Sequence, residues 1–508
     1  MTSRSSAFFT TVHPGVFTAS AILVIAFVIF GVAVPDTAST AFAAVHEFIT
    51  EYFGWFYLLA VSGFLVFLVW LALSRYGDIR LGQPEERPRF AFLTWFAMLF
   101  SAGMGIGLVF WSVAEPVLHY QNPPTGEGET QAAAAQAMVL TFFHWGLHAW
   151  AVYVVLGLSV AYFSFRQRLP LAIRSLFHPM LGDRIYGPIG HVIDVLAVFG
   201  TLFGLATSLG LGAMQLNTGL NVLFDIPVSP WHQVGIIMTI TTIAVLSVIS
   251  GLDRGLKWLS VVNLALALIL LLFVAAAGPT LFLLRFLLDS TGSYLQQLIG
   301  MSLNTDAIGG SAWHKDWTLF YWAWWIAWSP FVGMFIARIS RGRTIRQFIW
   351  GVLAMPTLFV LVWMTAFGGT ALHLEIFNDT AGIAAAVAED TTVALYALLA
   401  ELPLTTITSG LATLLIATYF ITSSDSGTHV IDALVSRGSK RSPRRQRVIW
   451  GITEGAVAAT LLIVGGELAL NSLQTGSITA GLPVAVILIF ACINLVHALK
   501  REPRDYPH

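Results

Sequence analysis

Charge is what this sequence has least of. Only 10% of its 508 residues are Asp, Glu, Lys or Arg, against about 25% in a soluble domain, so an ordinary soluble globule is excluded. Cysteine is nearly absent. The single Cys492 rules out an intramolecular disulfide and argues against a cysteine-ligated metal site. No tail or linker is long enough to hold a soluble domain, so the chemistry has to take place within a bilayer. Convergent acids, a metal cluster or a nucleophile–base pair at workable spacing are also missing, which argues against an enzyme. The formal net charge of −1 gives no sign of a nucleic-acid partner.

Apolar length is what the chain has in abundance: 56% of its residues are hydrophobic. A membrane-crossing helix needs about 20 largely apolar residues, and twelve stretches qualify, at 16–36, 54–74, 91–115, 139–165, 188–213, 232–252, 258–284, 317–337, 346–373, 405–433, 447–465 and 477–499. The first is too long for a signal-peptide core and reads as a retained span. With the N-terminus inside, only Arg285 and Lys315 of the 26 basic residues fall on the outer side, so the positive-inside rule puts both termini in the cytoplasm. The outer loops are acidic, with Glu47, Glu51, Asp306, Asp316 and Glu375 among them. Residues 1–15 and 500–508 are then short cytoplasmic ends, and regulation through a long charged tail is not expected. Residues 16–74 form two peripheral helices, and 285–316 an amphipathic outer connector.

Tryptophan is concentrated in one place. Trp322, Trp324, Trp325 and Trp328 fall within seven residues of an apolar run that reaches Pro330. So dense a cluster in mid-membrane is costly unless its ring faces touch something, and Pro330 predicts a break or kink that lipid tolerates only beside a cavity. Ring faces around a cavity suit a cation that cannot donate hydrogen bonds, such as a quaternary ammonium group; an aromatic belt at the membrane surface is the alternative. Residues 91–115 contain Gly103, Gly105 and Gly107, which predict local unwinding. Paired interruptions in residues 91–284 and 317–499 would mark two inverted five-helix repeats with substrate bound between the broken helices.

The residues Gly103-Met104-Gly105-Ile106-Gly107-Leu108, His144 to Tyr153, and the Trp-rich run with Arg338 to Arg346 resemble the betaine/carnitine/choline transporter family over nearly the whole chain. The resemblance implies an all-α, twelve-helix LeuT-like fold in a bacterial inner membrane, often trimeric, and transport by alternating access. It implies an aromatic box of Trp145, Trp150, Tyr153 and Trp325, with Trp328, Trp324 and Phe320 along the pathway and Gly103, Met104, Gly105 and Gly107 facing them. On a continuous helix, at about 100° per residue, Trp145, Trp150 and Tyr153 occupy an arc of roughly 140° and can share one cavity. In the family, glycine at position 107 accompanies betaine-type substrates and aspartate accompanies choline. Glycine here implies a zwitterionic onium solute such as glycine betaine; dimethylsulfoniopropionate, carnitine, ectoine and proline stay open.

Coupling is implied in the same way. One sodium site would use the hydroxyls of Thr422 and Ser423 with the carbonyls of Tyr419, Ser101 and Met104. A second would use Thr201 and Phe331, but Leu205 stands where the family has threonine, which leaves either a single sodium or a site rebuilt on Thr207 or Ser208. The rival within transport is a sodium-independent or proton-coupled carrier. His144 and His148, at i, i+4, have no third metal ligand in sequence. Asp194, Asp425 and Glu454 are expected to cap helices or bind Ser/Thr hydroxyls rather than carry protons, and Arg338 to Arg346 to meet anionic lipid or close the inner gate.

Overall fold

A computed structural model describes residues 12–103, 105–250, 253–309, 312–378, 382–436 and 443–503. Helices α1 (Pro14–Ala33), α2 (Pro35–Leu73), α3 (Phe92–Gly103), α4 (Ile106–Gln121), α5 (Gln131–Trp145) and α6 (Leu147–Ala161) come first. They are followed by α7 (Pro188–Phe224), α8 (Pro230–Ser250), α9 (Asp253–Ala277), α10 (Thr280–Ser302), α11 (Thr318–Ile339) and α12 (Ile345–Met364). The chain continues through α13 (Thr370–Phe377), α14 (Ile383–Glu389) and α15 (Ala394–Ala400) to α16 (Thr405–Val435), α17 (Arg444–Gly465) and α18 (Ala469–Leu499). No strand occurs among the described residues, only an isolated bridge between Arg80 and Thr344. Among the described residues, ten helical segments are long and apolar enough to cross a membrane, with α5 and α6 counted together as Gln131–Arg166.

Local chemistry explains many of the boundaries. Pro35, one residue beyond the Val34 cap of α1, starts α2, a first-turn position where the missing N–H of proline costs nothing. Thr344 and Gln347 form a reciprocal capping box at the start of α12. The region read as a crossing at 54–74 begins much earlier, because α2 runs for 39 residues. The connector also starts ahead of residue 285, at Thr280.

Two expectations about interruptions need correcting. The Trp-rich helix α11 passes through Pro330 without ending. Proline leaves the carbonyl of Ile326 without its usual donor, and the Ser329 hydroxyl supplies one at 2.7 Å, so the helix is not broken there. An unforeseen interruption sits at Gly146, between α5 and α6. A Cβ there would lie 2.5 Å from the Phe142 carbonyl oxygen and 2.8 Å from the Tyr294 hydroxyl, so only glycine fits. The interruption at the glycine run does occur: α3 ends at Gly103 and α4 begins at Ile106.

Helix α11 is the axis of the bundle, packed against α6, α7 and α18, and every residue from Thr318 to Met334 is buried. A helix apolar on all sides belongs in such a position. The loop after α2 meets the loop after α11 through Leu81 N to Arg343 O and Gly342 N to Leu81 O, both 2.8 Å. Arg346 pairs with Asp78 at 2.6 Å, Arg341 with Glu86, and Arg166 with Glu502 at 2.8 Å. The arginine-rich loop after α11 is therefore braced by neighbouring loops at one end of the bundle.

Candidate functional site

Three rings expected to form a box do meet. Trp145 ends α5 and lies edge-on to Trp325 of α11, with centroids 4.9 Å apart. Tyr153 of α6 stands 6.2 Å from both Trp325 and Trp328, and Trp150 packs on Tyr153 at 5.6 Å. Because Gly146 interrupts the helix, Trp145 and the other two do not share the unbroken 140° arc predicted from periodicity. Along α11, the rings of Phe320, Trp324, Trp325 and Trp328 stack in sequence: Phe320–Trp324 are 5.4 Å apart, Trp324–Trp325 4.8 Å and Trp324–Trp328 6.3 Å. Trp322 points away, buried against His148 and Phe143 rather than facing lipid.

These rings face the break between α3 and α4. A Cβ on Gly105 would sit 3.5 Å from the Trp328 ring, and one on Gly107 would run into the Trp324 ring. Glycine at 107 thus has a steric reason: the indole occupies the place of a side chain. Gly103 closes α3, and Met104 lies outside the described residues.

Three of the site's indole N–H groups are tied down, whereas that of Trp328 is buried without a hydrogen-bond partner. Trp325 Nε1 donates to the His144 carbonyl at 2.9 Å and Trp324 Nε1 to the Gly204 carbonyl at 3.3 Å. Trp145 Nε1 donates to Glu115 Oε2 at 2.6 Å, and the Tyr321 hydroxyl to the same oxygen at 2.5 Å. Glu115 is fully buried, and sequence reasoning passed over it. The available signal was a glutamate four residues ahead of His119 in an apolar run.

The histidines also differ from expectation. His148 does not face His144; it meets Ser302 Oγ at 2.9 Å. His144 joins Glu115 and His119, which the fold brings to it, with the ligand atoms of the three within 4.8 Å of one another. Glu115 Oε1 and His144 Nδ1 are 2.6 Å apart, a charge-assisted hydrogen bond and shorter than the ~3.3 Å between neighbouring ligands on one tetrahedral zinc.

The residues read as sodium ligands are less concentrated. Thr422 Oγ1 donates within its own helix to the carbonyls of Thr418 and Tyr419, at 3.0 and 3.1 Å, and accepts from Asn263 Nδ2 at 3.1 Å. Ser423 is half-buried; Met104 and the Ser101 side chain fall outside the described residues. Thr201 bonds the Ala197 carbonyl and Ser208 the Gly204 carbonyl, each within α7. Only Thr207 reaches across, to Ser477 Oγ at 2.8 Å and the Leu473 carbonyl at 3.0 Å on α18. Phe331 stacks on Trp328 at 5.7 Å. Asp194 pairs with Arg174, whereas Glu454 accepts from Ser424 and Thr428, as expected of a carboxylate bound to hydroxyls.

Among the described residues, ten long apolar helical segments, one of them the buried aromatic axis, define a multi-pass membrane protein. The chain belongs to the betaine/carnitine/choline family of transporters, whose family model, "BCCT, betaine/carnitine/choline family transporter", it matches over residues 15–504. It is therefore a transporter and not an enzyme. It is 46% identical over 481 residues to the glycine betaine transporter OpuD of Bacillus subtilis, covering 94% of this chain and 93% of that one. A probable glycine betaine transporter of Desulfitobacterium hafniense is 44% identical over 483 residues, covering 95% and 97%. The high-affinity choline transport protein of Escherichia coli is 44% identical over 499 residues, covering 97% and 73%.

Proposed function

We propose that this transporter is a sodium-coupled symporter of a zwitterionic onium solute, with glycine betaine as the reference substrate. The observation that carries the reading is the meeting of Trp145, Tyr153 and Trp325 beside the glycine break of α3 and α4. Ring faces attract a quaternary ammonium head by about 0.5–2 kcal/mol each. At the break, Gly105 has no side chain to cap α4, and with Leu108 N already donating to the Gly105 carbonyl at 3.2 Å, the N–H groups of Ile106 and Gly107 are the ones offered to a carboxylate. The two ends of the solute would thus find opposite partners, and relatives named for glycine betaine and choline transport support this chemistry.

The wider arrangement belongs to the same proposal. Twelve spans, two of them peripheral and ten in two inverted five-helix repeats of LeuT-like type, would place both termini in the cytoplasm of a bacterial inner membrane, in a lipid-embedded homotrimer. Sodium would be held by Thr422, Ser423 and the Tyr419 carbonyl with Ser101 and Met104. A second reading, an ion-independent or proton-coupled carrier of carnitine, choline, dimethylsulfoniopropionate or ectoine, is favoured by the hold of Asn263 on Thr422.

Uptake of radiolabelled glycine betaine into proteoliposomes under a sodium gradient, against matched potassium and proton gradients, separates the two. Saturable uptake requiring sodium is the expected result; equal uptake without sodium would remove the coupling and leave the cage. Gly107→Asp tests the polarity of the site. A carboxylate there must displace Trp324 and faces that of the solute, and like-charge contacts cost several kcal/mol. Betaine affinity is expected to fall about a hundredfold or more, and that of choline, which has no carboxylate, by much less. Equal losses for both would refute the assignment of the solute carboxylate to this end.

A further inference from the structure

Behind the aromatic cage lies a polar cluster to which transport by alternating access assigns no role. Glu115 reaches it from α4, with both carboxylate oxygens inaccessible to solvent. Oε2 faces Trp145 Nε1 at 2.6 Å and the Tyr321 hydroxyl at 2.5 Å; Oε1 faces His144 Nδ1 at 2.6 Å and His119 Nε2 at 3.3 Å. An indole nitrogen can only donate. His144 Nε2 lies 3.0 Å from Thr318 Oγ1, so if Nδ1 donates to Glu115, Nε2 accepts from the threonine and the ring is complete in its neutral form. With Tyr321 and, in its Nε2–H tautomer, His119 also donating, the carboxylate accepts four hydrogen bonds, the number that suits its ionised form.

None of these four partners carries a fixed positive charge. A buried anion surrounded by neutral donors keeps an unbalanced field in a low-dielectric site. The field falls on the cage, because the same carboxylate holds its rings. Trp145 and Tyr321 bond it directly, and Trp325 is one residue removed, through the carbonyl of His144 at 2.9 Å. Hydrogen bonding to an anion polarises the donor, which makes the indole and phenol faces more negative.

We propose that Glu115 is a specificity residue of this transporter, an ionised carboxylate that positions Trp145, Tyr321 and Trp325 and whose charge makes their faces select a cationic headgroup over a neutral one of the same shape. The proposal rests on reading the cage as an onium site. Glu115 is a positioning residue and need not touch the solute.

The test compares glycine betaine with 3,3-dimethylbutanoate, in which carbon replaces the charged nitrogen at the same size and shape. Displacement of radiolabelled betaine from purified protein in sodium buffer measures both affinities. Wild type is expected to prefer betaine strongly. Glu115→Gln, whose amide puts donors where donors already stand, is expected to weaken betaine about tenfold and the carbon isostere by less than about twofold, so that the preference collapses. Glu115→Asp keeps the charge on a shorter arm and should lower both affinities while preserving the preference.

An unchanged preference in Glu115→Gln, or equal weakening of both ligands, overturns the proposal, because packing alone would do that. Should Glu115→Gln not fold, Glu115→Asp and Tyr321→Phe decide. Preference kept in the first and reduced about threefold in the second supports the assignment; preference lost in Glu115→Asp or unchanged in Tyr321→Phe overturns it. Wild type that binds neither compound would instead remove the onium reading of the cage, and this proposal with it.

Discussion

Trp325→Leu is expected to weaken betaine binding about a hundredfold and reduce uptake to background, in protein that still folds. The ring supplies a desolvated cation–π contact worth about 2 kcal/mol or more, close to the ~2.7 kcal/mol that a hundredfold change requires. Its N–H holds the ring on the buried His144 carbonyl at 2.9 Å, and abandoning that carbonyl lowers stability by about 1–3 kcal/mol. Trp325→Phe separates the terms by keeping a ring face and losing only the N–H, and its effect should be intermediate, near tenfold. Equilibrium binding of radiolabelled betaine would show both. Wild-type affinity in Trp325→Leu would mean that the solute binds elsewhere, and no rearrangement of neighbouring rings would rescue the site.

The largest effect on stability is expected at Asp194. Its carboxylate is inaccessible, and it accepts from Arg174 Nε at 2.6 Å and from the Arg174 backbone N–H at 3.0 Å, which ties the segment before α7 to that helix. Removing one member of a buried ion pair leaves the other charge unmatched and typically costs about 3–5 kcal/mol. Asp194→Ala should therefore lower the unfolding temperature of the detergent-purified protein clearly. The double variant Asp194→Leu with Arg174→Met should recover most of the loss, since an apolar pair of similar volume replaces a buried ion pair at little cost. If Asp194 carried a coupling proton instead, Asp194→Asn would leave stability intact and abolish uptake. Full stability in Asp194→Ala would contradict the structural role.

Both experiments bear on residues that differ in how visible they were. Trp325 is legible in the sequence as one of four clustered tryptophans, and the family resemblance puts its ring in a box. Its hydrogen bond to the carbonyl of His144, 181 residues away, had no sequence signal. Asp194 was visible as an intramembrane acid, but the partner expected was a helix end or a hydroxyl, and the fold supplied Arg174.

The sequence by itself determined that this is a multi-pass helical membrane protein. Runs of about 20 apolar residues and a scarcity of charge leave no other stable arrangement, since every backbone polar group in lipid has to be satisfied within its own helix. It also determined the break at Gly103 to Gly107 and the family, through motifs carried by contiguous residues. Tertiary structure alone decided the rest of the site. Pro330 leaves α11 intact because the Ser329 hydroxyl turns to the Ile326 carbonyl, and the interruption after α5 requires glycine at 146 because a carbonyl and a phenol occupy the place of a side chain. Glu115 becomes the centre of a hydrogen-bond cluster because α4, α5 and α11 bring it His144, Trp145 and Tyr321. Hydropathy and helical period are sums over neighbours in the chain. A hydrogen bond between residues 30 or 206 positions apart depends on how helices pack, and no window along the sequence contains it.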